Sequence, residues 1–151
     1  MELRIADLLQ SEGLDLGVTP WLTITQARID AFADATEDFQ WIHVDPERAE
    51  LEGLGRTIAH GYLTLSLVPY FFRQLLVLPD QDRSFNYGLN KVRFPAPVAE
   101  GSELRMRGQL GTVTARDDAG VIYSLNFELE RRGVGRPGAV GEVVYLAYPR
   151  G

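Results

Sequence analysis

The run from Tyr62 to Leu78, YLTLSLVPYFFRQLLVL, constrains the fold more than any other stretch of the chain. Thr64, Ser66, Pro69, Arg73 and Gln74 interrupt it, so it falls short of the roughly 20 apolar residues that a membrane-spanning helix needs. From Gly61 to about Leu76 apolar residues fall on nearly every face. That pattern predicts a helix surrounded by other structure and bent at Pro69. The surroundings must come from the second half of the chain, where the texture changes after Pro79. Strand-like runs cover Ser84 to Phe94, Ser102 to about Thr114, Val121 to Arg131 and Ala139 to Tyr148. They are separated by Pro95-Ala96-Pro97, by Asp117-Asp118-Ala119-Gly120 and by a glycine-rich loop. Consecutive long strands with short turns predict an antiparallel meander. One apolar helix segregated from an antiparallel sheet predicts α+β packing, with the sheet curled around the helix.

The 151 residues fit one domain, 1–151, large enough to bury about two thirds of its unfolded surface without covalent staples. A net charge of -6 argues against nucleic acid as a partner, and the absence of cysteine excludes disulfides and thiolate metal sites. Met1 is followed by Glu2 and Arg4 instead of a basic and then apolar leader. The expected location is therefore the cytoplasm, with no membrane partner. All the basic residues but Lys91 are arginine, yet they are scattered, which reads as compositional bias on the surface.

Leu3, Ile5, Leu8 and Leu9 predict one short helix, and Val18 to Ile24 a first strand. Thr23 or Thr25 can cap a helix running to about Thr36, with Ile29, Phe32, Ala33 and Thr36 at helical spacing. Asp45-Pro46 is a cap followed by a proline whose missing donor costs nothing there, so a short helix is expected from Pro46 to about Leu51.

Both histidines lie between Thr36 and Gly61. Asp38 and His43 are five positions apart, which on an uninterrupted helix would leave them about 140° apart. They converge only if the helix ends near Asp38, and the pattern predicts that it does. A carboxylate and an imidazole can hold a water between them, one taking a proton while the other supplies one. This is the equipment for hydration chemistry. Gly61 opens the apolar helix, where its N–H can serve a developing oxyanion and its missing side chain allows close approach of a carbonyl. His60 beside it reads as structural. A metal site made of Asp38, His43 and Asp45 has suitable ligand types but no further dedicated cluster, and is rejected. Gly133-Val134-Gly135-Arg136-Pro137-Gly138 has dinucleotide-motif spacing, but with Pro137 inside it and a strand-like run after it, a hairpin loop is expected. Lys91 and Arg93 alternate along a strand, so both are expected to point the same way, either into solvent or toward an anionic cofactor's phosphates.

Two segments carry a resemblance: Asp38-Phe39-Gln40-Trp41-Ile42-His43-Val44-Asp45-Pro46, and Thr57-Ile58-Ala59-His60-Gly61-Tyr62-Leu63-Thr64-Leu65-Ser66. They resemble the hydratase motif of the MaoC-like family of (R)-specific enoyl-CoA hydratases. Asn86 to Val98 is similar to the branch that includes nodulation protein N-like proteins and mycobacterial hydratases. The resemblance implies a hot-dog fold, a homodimer joined at its sheet edges and an acyl-CoA tunnel near the interface. It implies catalytic roles for Asp38 and His43, the oxyanion donor at Gly61, and an orienting role for Ser66. Gln40-Trp41 stands where many hydratases have Asn-Pro. The expected reaction is reversible addition of water to a trans-2-enoyl-CoA giving a (3R)-3-hydroxyacyl-CoA. No cofactor is held permanently, no metal is used, and the substrate is a coenzyme A thioester; acyl carrier protein as the carrier stays open. Two alternatives remain: a hot-dog thioesterase, disfavoured because no Asp or Glu occurs from Gly53 to Pro79, and a non-catalytic acyl-CoA-binding protein.

Overall fold

The N-terminal leucines form the expected short helix, α1 (Ile5–Leu8), and strands β1 (Asp15–Val18) and β2 (Leu22–Thr23) follow. In the computed structural model, which describes residues 1–151, the strand expected from Val18 to Ile24 is split. Pro20 has no N–H to give a ladder. Thr19 spans the break: its N–H donates to the Met106 carbonyl and its hydroxyl accepts from the Met106 N–H, both at 2.9 Å.

Helix α2 (Gln26–Thr36) starts as expected at Thr25, whose hydroxyl accepts from the Arg28 N–H, and it buries Ile29 and Ala33. It stops at Glu37, which takes a left-handed φ of 60°, so the helix ends just before Asp38. Helix α3 (Trp41–Val44) and helix α4 (Pro46–Leu51) come next. Asp45 caps α4 by accepting from the Arg48 N–H at 2.9 Å, with Pro46 in the first turn.

The apolar run is two helices, α5 (Gly61–Ser66) and α6 (Val68–Leu75), instead of one bent at Pro69. The break falls two residues earlier, at Leu67. Pro69 cannot donate to the Leu65 carbonyl and its ring crowds it, so the preceding turn tightens. The Leu67 N–H is shared between the Leu63 and Thr64 carbonyls at 3.2 Å. Nor is the helix covered on every face. Leu63, Val68, Phe71, Phe72 and Leu75 are buried, whereas Tyr62, Ser66 and Tyr70, four residues apart, form an exposed stripe. No helix is long and apolar enough to cross a membrane.

Four long strands follow: β3 (Gln81–Arg93), β4 (Glu103–Ala115), β5 (Val121–Arg131) and β6 (Val134–Pro149). Their order in the sheet is β1-β4-β5-β6-β3, all antiparallel, with β2 also on β4. Only β4, β5 and β6 form the expected meander. Strand β3 lies at the far edge beside β6, because Pro95 to Ser102 carries the chain across to the opposite edge instead of turning it back. The expected loop Gly133 to Gly138 is also shorter than predicted. Arg131 pairs with Val134, so the turn is Arg132-Gly133, with Gly133 at φ 73°, and the remaining residues belong to β6.

Along β4, Leu104, Met106 and Leu110 are buried and alternate with Arg105, Arg107 and Gln109. This buried face, with Tyr123, Leu125, Phe127, Leu129, Val143 and Tyr145, packs on α6 in one core. Gly108 lets the helix come close: a Cβ there would lie 3.0 Å from Leu75. Phe72 stacks on Tyr145 with ring centroids 5.3 Å apart. The sheet therefore curls around a central helix, as expected.

At the β4–β5 turn, hydrogen bonds from Arg116 and then Tyr148 hold the Asp118 carboxyl at about 2, below its ordinary 3.8. A carboxyl lowered by folding stabilises the folded state above its unfolded value and stops doing so as pH falls through the folded one. Asp118→Asn should therefore melt below the parent at neutral pH. The difference should shrink below pH 3.8 and vanish near 2, readable by thermal melts across that range. A difference independent of pH would contradict the assignment.

Candidate active site

Three chain segments meet at the open end of the core. The left-handed residue Glu37 turns the chain out of α2 and delivers Asp38, half-buried. Helix α3 carries His43, which is 7 % exposed. Residues 57–60 run beside α3 as an extended segment: the Ile58 N–H donates to the Ile42 carbonyl at 2.9 Å, and the Ala59 N–H to the Val98 carbonyl at 2.7 Å.

The His43 ring is fixed by this segment. A carbonyl can only accept, so the 2.6 Å contact between His43 Nδ1 and the Ile58 oxygen is an Nδ1–H donation. Nε2 is then the nitrogen with a free lone pair. Ligand atoms of Asp38, His43 and His60 all lie within 4.8 Å of one another. Two hydrogen bonds of about 2.8 Å meeting at a tetrahedral angle span about 4.5 Å, so the 4.8 Å limit on these atoms is of the size that one water bridges.

A cleft of about 340 Å³ is lined by His43, Ile58, Ala59, Gly61, Thr64, Phe94 and Val98 among others. His43 and Gly61 thus face one space. A Cβ on Gly61 would lie 3.1 Å from the Phe94 ring, so this position has no room for a side chain unless Phe94 moves. His60 stands at the N-cap position of α5 without a side-chain capping bond, and Gly61 is the first residue of its first turn, where N–H groups lack intrahelical partners.

Of the residues singled out in the sequence, His43 meets Asp38 on one side and shares the cleft with Gly61, while Asp38 itself does not line that cleft. Ser66 lies apart from them. Its hydroxyl donates to the Tyr62 carbonyl at 2.7 Å on the exposed helix stripe, and it lines a separate groove with Asn86, Tyr87 and Leu89. Buried Thr64, whose hydroxyl donates to the Gly61 carbonyl at 2.6 Å, occupies the cleft instead. The regular alternation that would set Lys91 and Arg93 on one face is also lost. Lys91 has φ 52°, and the pairing jumps from Asn90–Glu142 to Arg93–Val140, a bulge that adds one residue to β3. Both side chains are exposed.

The sequence reading gave no role to Gln26 or Thr57. Gln26 binds α2 to the rest of the site: its Nε2 donates to the His43 carbonyl at 2.7 Å and to Asp30 at 2.8 Å, and its Oε1 accepts from buried Thr57. Neither Gln26 nor Thr57 carries a local signal for this. His60, read as structural, stacks on His43 with ring centroids 3.8 Å apart and planes 25° apart. Histidine lone pairs lie in the ring plane, so the two stacked rings hold theirs in nearly parallel planes.

Comparison with known proteins matches residues 9–124 to the family model described as MaoC like domain. The chain is 44 % identical over 140 residues, 93 % of each sequence, to 3-hydroxyacyl-thioester dehydratase Z of Mycobacterium tuberculosis. It is 42 % identical over 138 residues to Nodulation protein N of Rhizobium leguminosarum bv. viciae, covering 90 % of this chain and 86 % of that one. Among solved structures, the (R)-hydratase from A. caviae involved in PHA biosynthesis superposes with a TM-score of 0.70 at 28 % identity, covering 89 % of this chain and 94 % of that one.

Proposed function

We propose, from the premise that this chain belongs to the MaoC-like dehydratase family with its hot-dog fold, that it is a hydro-lyase. Its reaction is the reversible addition of water to a trans-2-enoyl thioester, giving the (3R)-3-hydroxyacyl product. One observation carries the reading. Ligand atoms of the Asp38 carboxylate and the His43 imidazole lie within 4.8 Å of each other, the His43 Nδ1–H is committed to Ile58, and His43 shares its cleft with Gly61.

In this reaction Asp38 and His43 hold the water. One of them removes its proton as the oxygen bonds to C3, and the other delivers a proton to C2. The Gly61 N–H donates to the thioester oxygen, which gains negative charge as the enolate forms. Coenzyme A is the proposed carrier. Lys91 and Arg93, exposed and three and one residues before the cleft residue Phe94, are the cations offered to its phosphates.

A thioesterase on this scaffold would need a carboxylate near the central helix, and α5 and α6 carry none. The test is an incubation with crotonyl-CoA in which loss of the conjugated thioester and release of thiol are followed together. Hydration without thiol release is expected; thiol release alone would make the protein a thioesterase. Binding of crotonyl-CoA with neither change would make it a non-catalytic binder.

The proposal includes a homodimer. Strand β3 pairs only with β6, so its other edge is open over a strand of 13 residues. Phe85, Tyr87 and Leu89 are each at least half exposed there, close to the groove beside the uncovered stripe of α5 and α6. A long open edge with apolar side chains is an aggregation hazard unless it is covered, and a second copy covers it. Sedimentation should give twice the 16.9 kDa of one chain. A stable monomer at micromolar concentration would exclude the dimer.

A further inference from the structure

The acid–base scheme leaves a buried polar group beside the proposed pair without a task. His60 is 2 % exposed and meets two rings, Phe32 at 5.0 Å and His43 at 3.8 Å. Its Nε2 lies 2.9 Å from the Asp38 carbonyl oxygen, to which it can only donate. Its Nδ1 is buried with no hydrogen-bond partner. An orphaned buried nitrogen carries a free-energy cost that a plain apolar ring would avoid, so packing alone does not account for histidine here.

Its contacts supply the reason. Asp38 follows the left-handed residue Glu37 and has left the helix that would otherwise hold its backbone. The His60 Nε2–H ties that backbone to the start of α5, while the face of the same ring lies against His43. One side chain thus touches both members of the proposed pair, by a hydrogen bond to one and a stack on the other.

We propose that His60 is a positioning residue that sets the separation of the Asp38 carboxylate and the His43 imidazole. This rests on the hydro-lyase reading for its kinetic consequence but not for its geometry. The geometry requires the two histidines to be locked in opposite tautomers. His60 carries its proton on Nε2, directed at Asp38, and His43 carries its proton on Nδ1, directed at Ile58. Errors of about 1 Å in the placement of reacting groups cost on the order of 100-fold in rate.

Two variants separate the donor from the ring. His60→Phe keeps a flat ring and loses the donor, whereas His60→Gln keeps an N–H at a similar reach and loses the ring. With crotonyl-CoA, His60→Phe is expected to lose about 10- to 100-fold in kcat with KM within about threefold of the parent. His60→Gln should recover most of that loss. Parent kcat in His60→Phe, or equal losses in both variants, would overturn the proposal.

The second measurement needs neither turnover nor a folded variant. The chain has only two histidines, so the ring nitrogen NMR spectrum of the parent, taken above the ordinary histidine titration range, should show one ring of each tautomer. Two rings in the same tautomer, or both averaging, would overturn the positioning role even in an active enzyme. Opposite tautomers in a protein that does not hydrate crotonyl-CoA would leave this geometry standing and remove the hydro-lyase reading.

Discussion

Asp38→Asn and His43→Ala are each expected to lower kcat for crotonyl-CoA hydration by about 10²- to 10⁴-fold, the range for losing a general acid or base. Asp38→Asn is the cleaner variant. It changes the charge and not the shape of a half-buried side chain, and what His60 grips is the Asp38 backbone. The melting temperature should therefore barely move while the rate falls. His43→Ala also removes the 2.6 Å hydrogen bond to the Ile58 carbonyl and the stack on His60. Some stability is lost with it, on the order of 1–3 kcal/mol, which makes circular dichroism and melting necessary controls. Because the two groups act on one water, the double variant should be scarcely worse than either single one. Rates multiplying in the double variant would mean that the residues act separately.

The largest effect on stability is expected from Phe71→Ala. Phe71 is fully buried in the middle of α6 and belongs to the core that joins that helix to the sheet. Truncating a phenylalanine in such a place costs about 3–5 kcal/mol, because the lost transfer free energy is joined by the cavity left behind. For a domain of this size each kcal/mol shifts the melting temperature by roughly 2–4 °C, so a fall of about 6–20 °C is expected. The neighbouring Tyr70 gives the contrast, being 41 % exposed on the uncovered stripe. Tyr70→Ala should cost far less in a single chain. A comparable loss from both would place the stripe inside an interface, and a loss below about 1 kcal/mol from Phe71→Ala would mean that α6 is not the centre of the core.

The readings that held were those made by neighbouring residues. Thr25 and Asp45-Pro46 start helices because a side-chain oxygen and a missing proline donor act within one turn. The chain leaves α2 just before Asp38, as expected, and ligand atoms of Asp38 and His43 then lie within 4.8 Å of each other. The buried face of β4 follows two-residue alternation. The readings that failed depend on partners far along the chain. That β3 lies beside β6 is a choice among strand pairings that no stretch of β3 encodes by itself. Pro20 did carry a local signal against an unbroken first strand, and that signal was outweighed by the apolar alternation around it. The bulge at Lys91 answers to the pairing with β6, so residue spacing alone does not fix the direction of Lys91 and Arg93. His60 reads as structural, and nothing contradicts that, but its stack on His43 and its bond to Asp38 22 positions away exist only in the folded chain. Gln26 and Thr57 were silent for the same reason.

The central claim is that Asp38 and His43 add water to an enoyl thioester on one face. The most direct measurement is the configuration of the product formed from crotonyl-CoA by the unmodified protein, with Asp38→Asn in parallel. Loss of the conjugated thioester should yield (3R)-3-hydroxybutyryl-CoA, accepted by an R-specific and refused by an S-specific 3-hydroxyacyl-CoA dehydrogenase, and Asp38→Asn should form almost none. The (3S) product, or equal formation of the (3R) product by Asp38→Asn, would contradict it.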